Sequence, residues 1–398
     1  MKIVEINTCD YGSTGKIMLQ IAETARENDH SVTTFSRKWN NTKSISNSHI
    51  YFGSFLENAL HHILAEATGQ SECFSLFGTL SLILKFKKIK PDIIHLHNLH
   101  GWYINLPLLF RYIKRHNIKT VWTLHDCWSF TGHCPYFDMV DCGKWKEGCY
   151  KCPQFNNYPR SLFDNSKYMY NLKKKWFAGV KNMTIVTPSE WLAGLVKQSF
   201  LGKYPVKVIN NGIDLNIFKP TESDFRKKYA LENKYIVLGV AFGWGKRKGL
   251  DVFIELANRL DKEKYKIVLV GTDDNVDKLL PDNITSIHRT QNQTELAEIY
   301  TAADVFANPT REENYPTVNM EALACGTPVV TFNTGGSPEI IDETCGAVAA
   351  KDDTDAMYNE IIRICETKPY SKEACLKRAI FFDKNKKYEE YLKLYYMI

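Results

Sequence analysis

Short apolar runs alternate with helical patterns twice over along this chain, and that alternation restricts the fold more than any other feature. A strand, a helix and a second strand make the unit of a parallel sheet, because parallel neighbours need a crossover between them. In the first half the strands read KIVEIN, SVTTFS, IIHLHN, KTVWTLHD and MTIVTPS. In the second they read YIVLGVA, KIVLVG, TSIHRT, VFANP, PVVTFN and GAVAA. Stretches such as LDVFIELANRL and TELAEIYTAA, between strands, carry apolar residues at helical spacing. A link rich in Gly, Pro and Asn, LGKYPVKVINNGIDLNIFKPTESD, separates the two sets. The pattern predicts an α/β protein of two Rossmann-like domains, 1–202 and 203–382, facing each other across a cleft. The last helix, 383–398, is left over once the second sheet closes, and is expected to pack back on the first domain. A length of 398 residues suits two ordinary cores.

Met1 leads straight into a strand, with no charged and apolar leader, and no run of about 18 uncharged apolar residues follows. Neither a secretion signal nor a membrane span is expected, and the expected location is the cytoplasm. The 11 cysteines then read as buried, reactive or metal-bound thiols. The net charge of +6 is uneven: residues 1–200 hold 24 Lys and Arg against 15 Asp and Glu, and the remainder 27 against 30. Basic clusters interleaved with aromatics, LKFKKIKP, FRYIKRHNIK and YNLKKKWFAGVK, lie in the first half. Each alone reads as a solvated helix face. Together they suggest a peripheral surface for anionic lipid headgroups at the inner face of the cell membrane. No nucleic-acid partner is expected.

Ligands of such sheets bind outside the carboxyl ends of the strands, so strand-end residues are the candidates. TCDYGSTGKI places Gly12 and Gly15 before a helix. It is no P-loop, having two residues between its glycines and Ile17 after the Lys. It reads as a glycine turn that lets a ligand approach backbone amides, or as a plain strand-to-helix turn. His97, His100 and His125, with Asp126 adjacent, lie at or just past strand ends and suit hydrogen bonding to sugar hydroxyls on an acceptor side. GWGKRKGLD sets Arg247 and Lys248 before a helix start, an arrangement suited to a diphosphate.

The stretch REENYPTVNMEALACGTPVV holds Glu313 and Glu321 with seven residues between them. Two carboxylates could flank a glycosidic bond; a loop entering a helix could instead hold a phosphate. A helix starting near Thr317 would aim the amides of Tyr315, Thr317 and Val318 at an anion, with Glu321 one turn in and Glu313 in the loop ahead. The carboxylates then stand on either side of an anion site, one for a ribose and one for a hexose. A nucleotide sugar satisfies all of these groups. A glycoside hydrolase leaves the phosphate features unexplained, and a non-catalytic nucleotide-binding module leaves the strand-end histidines unexplained.

Taken together, the E-x7-E stretch, the RKG turn, NNGIDLNIF (Asn210 to Phe218), VTPSEWL and GGSPEII resemble a family 4 retaining glycosyltransferase of the GT-B fold, over nearly the whole chain. The chain is most similar to bacterial members that build capsular, exopolysaccharide or lipopolysaccharide chains. The resemblance implies that Glu321 holds the donor ribose, Glu313 the donor sugar's hydroxyls, and Arg247 and Lys248 the diphosphate. It implies that Asn314, Tyr315, Pro316, Thr317 and Val318 line the donor site, and that backbone around Thr290, from Arg289 to Gln291, meets the base. It matches His125 to the His that touches the transferred sugar, and Gly12 and Gly15 to the glycine loop near the reaction centre. One departure is FGWG, where the family often has an Arg after the YIVLGVA strand; Arg247 is expected to take its place. The implied reaction moves a hexose from a UDP- or GDP-sugar to a glycan or lipid-linked glycan, with retention and without a catalytic metal. GTDDN (Gly271–Asn275), the nearest approach to a metal-binding D-x-D, reads as a loop.

The segment 127–153 stands outside that resemblance. GHCPYFDMVDCGKWKEGCYKCPQ carries Cys134, Cys142, Cys149 and Cys152 with no strand or helix period, and its last pair is a C-x2-C. A loop this short is expected to bury too little to order itself, so a structural zinc on the four thiolates is one expectation. Cys127, His133 and Glu147 are possible substitutes as ligands. Free thiols or disulfides are the other two.

Overall fold

The computed structural model describes residues 1–39 and 47–398. The chain divides into two compact units, Met1–Asn210 with Lys387–Ile398, and Asn211–Lys386. The first holds a seven-stranded sheet of β1 (Lys2–Ile6), β2 (Ser31–Arg37), β3 (His49–Phe52), β4 (Ile93–Leu96), β5 (Lys119–Thr123), β6 (Met183–Thr187) and β7 (Val206–Val208). The strand order is β3-β2-β1-β4-β5-β6-β7, and every pairing is parallel. The order reverses between β1 and β4, which makes their carboxyl ends the switch point where ligands of open sheets bind. β4 and β6 are buried throughout, which is why neither IIHL nor MTIVT alternates between apolar and charged residues.

Two strands escape the sequence pattern. β3 is a four-residue edge strand, and β7 is three residues within the stretch taken as the link. Because β7 pairs with β6, the first unit runs past residue 202 to Asn210.

The helices α1 (Gly12–Glu27), α2 (Phe55–Thr68), α3 (Leu76–Ile89) and α4 (Leu106–His116) lie between the strands of this half. α4 shows the expected logic: Leu106, Leu109, Phe110 and Ile113 make its buried stripe, and Asn105 caps it by accepting from the Leu108 amide at 3.0 Å. From the last helix, Lys384–Met397, the residues Tyr388, Tyr391, Leu392, Leu394 and Tyr395 share a core with Ile3, Ile17, Ile21, Val32 and Ile93. Its tyrosines are also hydrogen-bonded, Tyr395 to His95 at 2.7 Å and Tyr391 to Thr123 at 3.1 Å. Burial of each such ring contributes on the order of 2 kcal/mol.

The second unit holds β8 (Tyr235–Val240), β9 (Tyr265–Val270), β10 (Ile284–Ile287), β11 (Val305–Asn308), β12 (Val329–Phe332) and β13 (Gly346–Ala349), in the order β10-β9-β8-β11-β12-β13 and all parallel. Alternate residues feed two cores: Ile236 and Leu238 of β8 enter one, Val237 the other. The reversal falls between β8 and β11, whose carboxyl ends carry the RKG turn and the E-x7-E stretch. GTDDN is a loop over residues 271–273, as expected, and departs from that expectation only at its last two residues. Asp273 accepts from the Asn275 and Val276 amides and starts a short helix, Asp274–Asp277.

Candidate functional site

Three strand-end loops of the second unit are fastened together. After β8 a single turn, Lys246–Lys248, leads through Gly249 into the helix Leu250–Arg259. Gly249 has φ +76°, and a Cβ there would lie 2.4 Å from the Pro309 carbonyl oxygen, so only glycine lets this turn rest on the chain leaving β11. Gly335, in the loop after β12, is constrained the same way: φ is +57° and a Cβ would fall 1.8 Å from the Glu313 carbonyl oxygen. Beside it the Gly336 amide donates to the Asn314 carbonyl at 2.8 Å.

Arg311 joins the first two loops. Its guanidinium grips Asp251 in bidentate fashion at 2.7 and 2.9 Å, donates to the Lys246 carbonyl and pairs with Asp352. Its amide donates to the Arg247 carbonyl at 2.9 Å. Sequence reasoning gave Arg311 no role, because its partners lie 41 to 65 residues away and no local pattern announces them.

With the loops so held, Lys248 Nζ stands 2.6 Å from Glu313 Oε2, both side chains largely shielded. Burial alone would raise the Glu313 pKa; the Lys248 charge and hydrogen bond, the Asn314 amide and the Arg247 charge outweigh it and hold Glu313 below the usual carboxylate range. Arg247 reaches the Glu312 carbonyl at 3.4 Å. The helix Thr317–Ala324 begins as predicted, and its N-cap, Pro316, offers no side-chain acceptor. The amides of Thr317 and Val318, both half-buried, therefore keep the donor character and positive end of the helix dipole that suit an anion. Tyr315 is buried and Glu321 half-buried one turn in, where Tyr300 donates to Glu321 at 3.1 Å. Thr290 lies just past β10, two strands from β8 in the sheet order. Phe242, of the FGWG turn, is fully exposed.

In the first unit the strand-end residues form a buried stack. Glu5 of β1 lies 3.4 Å from His97 Nε2, and His97 Nδ1 lies 3.1 Å from His125 Nε2, the two rings nearly parallel. His97 was expected on the acceptor side; at 1% exposure it lies under His125 instead, because its amide still donates to the Ile6 carbonyl at 2.9 Å and its carbonyl accepts from the Trp122 indole at 3.0 Å, which keeps it within the sheet. Burial pushes the His125 pKa down to about 4 and His97 well below its ordinary value, so both are neutral near pH 7. Burial likewise raises Glu5 well above the carboxylate range. His100 bridges Asp126 at 2.9 Å and the Tyr158 hydroxyl at 2.8 Å. Gly12 and Gly15 are the first and fourth residues of α1. Asn7, another residue sequence reasoning missed, ties that turn to the end of β4: it donates to Thr14 Oγ1 at 3.3 Å and accepts from the Asn98 amide at 3.2 Å.

The cysteine segment departs from its expectation in one respect. It buries Trp128, Phe130, Phe137 and Trp145 in the main core of the first unit, and so has its own apolar support. Lys173, part of a cluster read as basic surface, is fully buried: it donates to the Trp128 and Thr131 carbonyls and sits 3.4 Å from the centre of the Trp128 ring. Cys134, Cys142, Cys149 and Cys152 line one cavity of ≈ 20 Å³, together with His133, and none is in a disulfide. Cys149 Sγ accepts from the Gly132 amide at 3.0 Å, and Cys152 Sγ from the Gln154 amide. Among the described residues, the sets of three or more ligand atoms within 4.8 Å of one another are Glu5–His95–His97 and Asp274–Asp277–His288, so the four thiols are not drawn to metal spacing.

Comparison with known proteins gives two family models in tandem. Residues 14–217 match "Glycosyltransferase Family 4" and residues 233–367 "Glycosyl transferases group 1". A putative colanic acid biosynthesis glycosyl transferase, WcaC of Escherichia coli K12, is 26% identical over 289 residues, 70% of this chain and 69% of that one. The O-antigen biosynthesis glycosyltransferase WclY of Escherichia coli is 26% identical over 208 residues, 49% of this chain and 58% of that one. Among solved structures, sucrose-phosphate synthase from Thermosynechococcus elongatus aligns over 100% of this chain and 98% of its own with TM-score 0.76 at 18% identity. Anabaena Alr3699/HepE in complex with UDP-glucose aligns over 100% of both chains with TM-score 0.70 at 14% identity. These likenesses are of fold, and agree with the GT-B architecture of two Rossmann-like domains.

Proposed function

The chain belongs to glycosyltransferase family 4, and from that premise we propose that it moves a hexose-type sugar, with retention, from a UDP- or GDP-sugar to a glycan or lipid-linked glycan in bacterial surface polysaccharide synthesis. The observation that carries this reading is the Lys248–Glu313 pair beside the uncapped start of the helix Thr317–Ala324. Cationic side chains and helix amides suit a diphosphate, while an ionised carboxylate suits paired hydroxyls. The names of the relatives support the polysaccharide class, and the UDP-glucose bound to the Anabaena protein supports a nucleotide-sugar donor.

In this reading Glu321 takes the ribose and Glu313 the hydroxyls of the sugar, while backbone near Thr290 meets the base. As the bond from the anomeric carbon to phosphate breaks, its electron pair leaves with the diphosphate. Arg247, Lys248 and the amides of Thr317 and Val318 stabilise that growing charge. The acceptor hydroxyl attacks from the face the phosphate leaves, and its proton passes to the diphosphate. No metal is assigned to this chemistry. His125, neutral and supported from below by His97, is assigned the contact with the transferred sugar; His100 and Asp126 are assigned to the acceptor side, and the Gly12–Gly15 turn to the backbone near the reacting centre.

A hydrolase acting through Glu313 and Glu321 would need one carboxyl kept protonated as the acid. Glu313, held ionised, could be only the nucleophile or base of such a pair, and the cationic side chains and helix amides beside it would have no task. The donors of the four-cysteine cavity suit a structural zinc, four thiols around one small space with amides aimed at two of the sulfurs, and since the sulfurs do not stand at metal spacing, zinc would have to draw them together on binding. The function is tested by release of UDP or GDP from a panel of nucleotide hexoses, with and without a lipid-linked glycan. Acceptor-dependent release is expected, and release to water alone would replace the transferase with a hydrolase.

A further inference from the structure

A surface helix normally turns its polar side to water. α2 does the reverse. Its inward residues are Asn58, His61 and Ala65, and the first two are hydrogen-bonded inside, to the Lys38 carbonyl and to Ser75. Leu56, Leu60 and Ile63, spaced at four and three residues along the opposite side, are 78%, 56% and 62% exposed. α3 continues the pattern. Gly78, Thr79, Leu82, Ile83 and Phe86 face inward, while Leu76, Phe77, Leu80 and Leu84 are exposed and lead along the same side into Lys87 and Lys88.

The two helices are fixed to one another at their amino ends. The Glu57 carboxylate of α2 accepts from the Phe77 and Gly78 amides of α3 at 2.7 and 2.9 Å. At the far end of α2 the Leu162 amide donates to the Glu66 carbonyl, which brings exposed Leu162 and Phe163 beside it. So much exposed apolar side chain on adjoining elements marks an interaction surface.

Charge selects the occupant. The two acidic residues of α2 are both engaged, Glu57 by the Phe77 and Gly78 amides and Glu66 by Arg160 at 3.1 Å, while α3 and its C-cap carry Lys85, Lys87, Lys88 and Lys90 with no acidic residue. Lys87, Lys88 and Lys90 close the apolar stripe of α3, and none of them is buried. A stripe of Leu and Phe ending in a cluster of lysines suits the interface of an anionic bilayer, acyl chains under the one and headgroups under the other. At 14 residues each, the helices are too short to cross it, and no described helix is long and apolar enough to do so. They lie on it.

We propose that the outward faces of α2 and α3, extended by Leu162 and Phe163, dock this protein on an anionic lipid bilayer, with the leucines and phenylalanines entering the headgroup–acyl boundary and Lys87, Lys88 and Lys90 holding the headgroups. The position also serves the chemistry. Glu72, buried in the connection between the helices, accepts from the Gly101 and Trp102 amides just beyond β4, and the His62 ring lies 4.1 Å from that of Trp102. The docking face is thereby tied to the strand end that carries His97 and His100, where a lipid-linked acceptor would be wanted. The inference stands on this surface alone and does not depend on the donor or acceptor assignments.

The test is flotation of the full chain with vesicles of phosphatidylcholine alone or mixed with phosphatidylglycerol, at low and high salt. Binding is expected to the mixed vesicles only, partly reduced by salt, since headgroup attraction is screened and apolar insertion is not. Lys87→Gln with Lys88→Gln should weaken partitioning by roughly tenfold or more, at about fivefold per lysine, and remove most of the salt-sensitive part. Leu60→Glu with Phe77→Glu should abolish it with unchanged thermal unfolding, because both side chains are exposed. Wild-type protein that stays off mixed vesicles overturns the proposal, as does full binding by the Leu60→Glu, Phe77→Glu variant. Sedimentation gives the other contrary outcome: a wild-type dimer that these two changes dissolve, with no vesicle binding, would assign the face to a second copy of the chain.

Discussion

Lys248 and Glu313 come from loops 65 residues apart and meet as a 2.6 Å ion pair. Each was expected to meet a different part of the donor, the diphosphate and the sugar. Their pairing means that one group sets the charge of the other. Lys248→Ala should therefore lower the transfer rate by roughly 10²–10³-fold, the size of losing one preorganised electrostatic contact. UMP or GMP affinity should hardly change, since neither offers a diphosphate. Equal losses in rate and monophosphate binding, measured by steady-state kinetics and calorimetry, would remove that role from Lys248.

The same pair fixes a pH dependence. Glu313 has its folded pKa depressed, so the interaction is complete above the ordinary carboxylate pKa and is lost only as pH falls through the lowered value. The acid limb of kcat/KM is expected below the usual carboxylate range in wild type and higher in Lys248→Ala, where the depressing charge is gone. An acid limb unmoved by that substitution would assign the limb to another group.

For the glutamates, Glu313→Gln keeps shape and loses charge, and is expected to cut sugar transfer far more than nucleotide binding. Glu321→Ala removes the ribose acceptor while adding a good helix former, so the expected result is an intact fold, a raised donor KM and most transfer lost. Near wild-type turnover in both variants would refute the donor assignment.

His97→Gln separates support from contact. Because His97 lies beneath His125 and is buried, the variant should slow transfer by about tenfold with nucleotide affinity unchanged. His125→Ala should slow it further. If His125→Ala leaves turnover intact while His97→Gln lowers only the melting temperature, the stack is structural.

Metal analysis of protein purified without chelator tests the cysteine cavity. One zinc per chain is expected, with Cys134, Cys142, Cys149 and Cys152 protected from thiol reagents until the fold opens. Substoichiometric zinc with four thiols titrating freely in the folded state would leave them as plain thiols; the aromatic core of the segment could hold it without metal.

The sequence displayed those parts of the fold that rest on local pattern. Six strands of the second sheet and five of the first were legible, because strands of a parallel sheet are short runs rich in apolar and β-branched residues. β3 and β7 were not, being short edge strands with half-exposed residues. The start of the helix at Thr317 was visible from Pro316 and the apolar run behind it. What escaped was long-range: the grip of Arg311 on the RKG turn, the burial of His97 between Glu5 and His125, and the burial of Lys173 over Trp128. None has a local signature, since each depends on which distant loop folds against it. The inverted face of α2 was present in its spacing, but a leucine stripe reads as core until the structure shows which side is covered.

The account stands most directly on one measurement: release of UDP or GDP from a nucleotide hexose by wild type and by Glu313→Gln, with and without a lipid-linked glycan, alongside the Kd of the nucleoside diphosphate. The expected result is release that requires the acceptor, falls by roughly 100-fold or more in the variant, and leaves diphosphate affinity within about threefold. Release that ignores the acceptor, or a variant as fast as wild type, would contradict it.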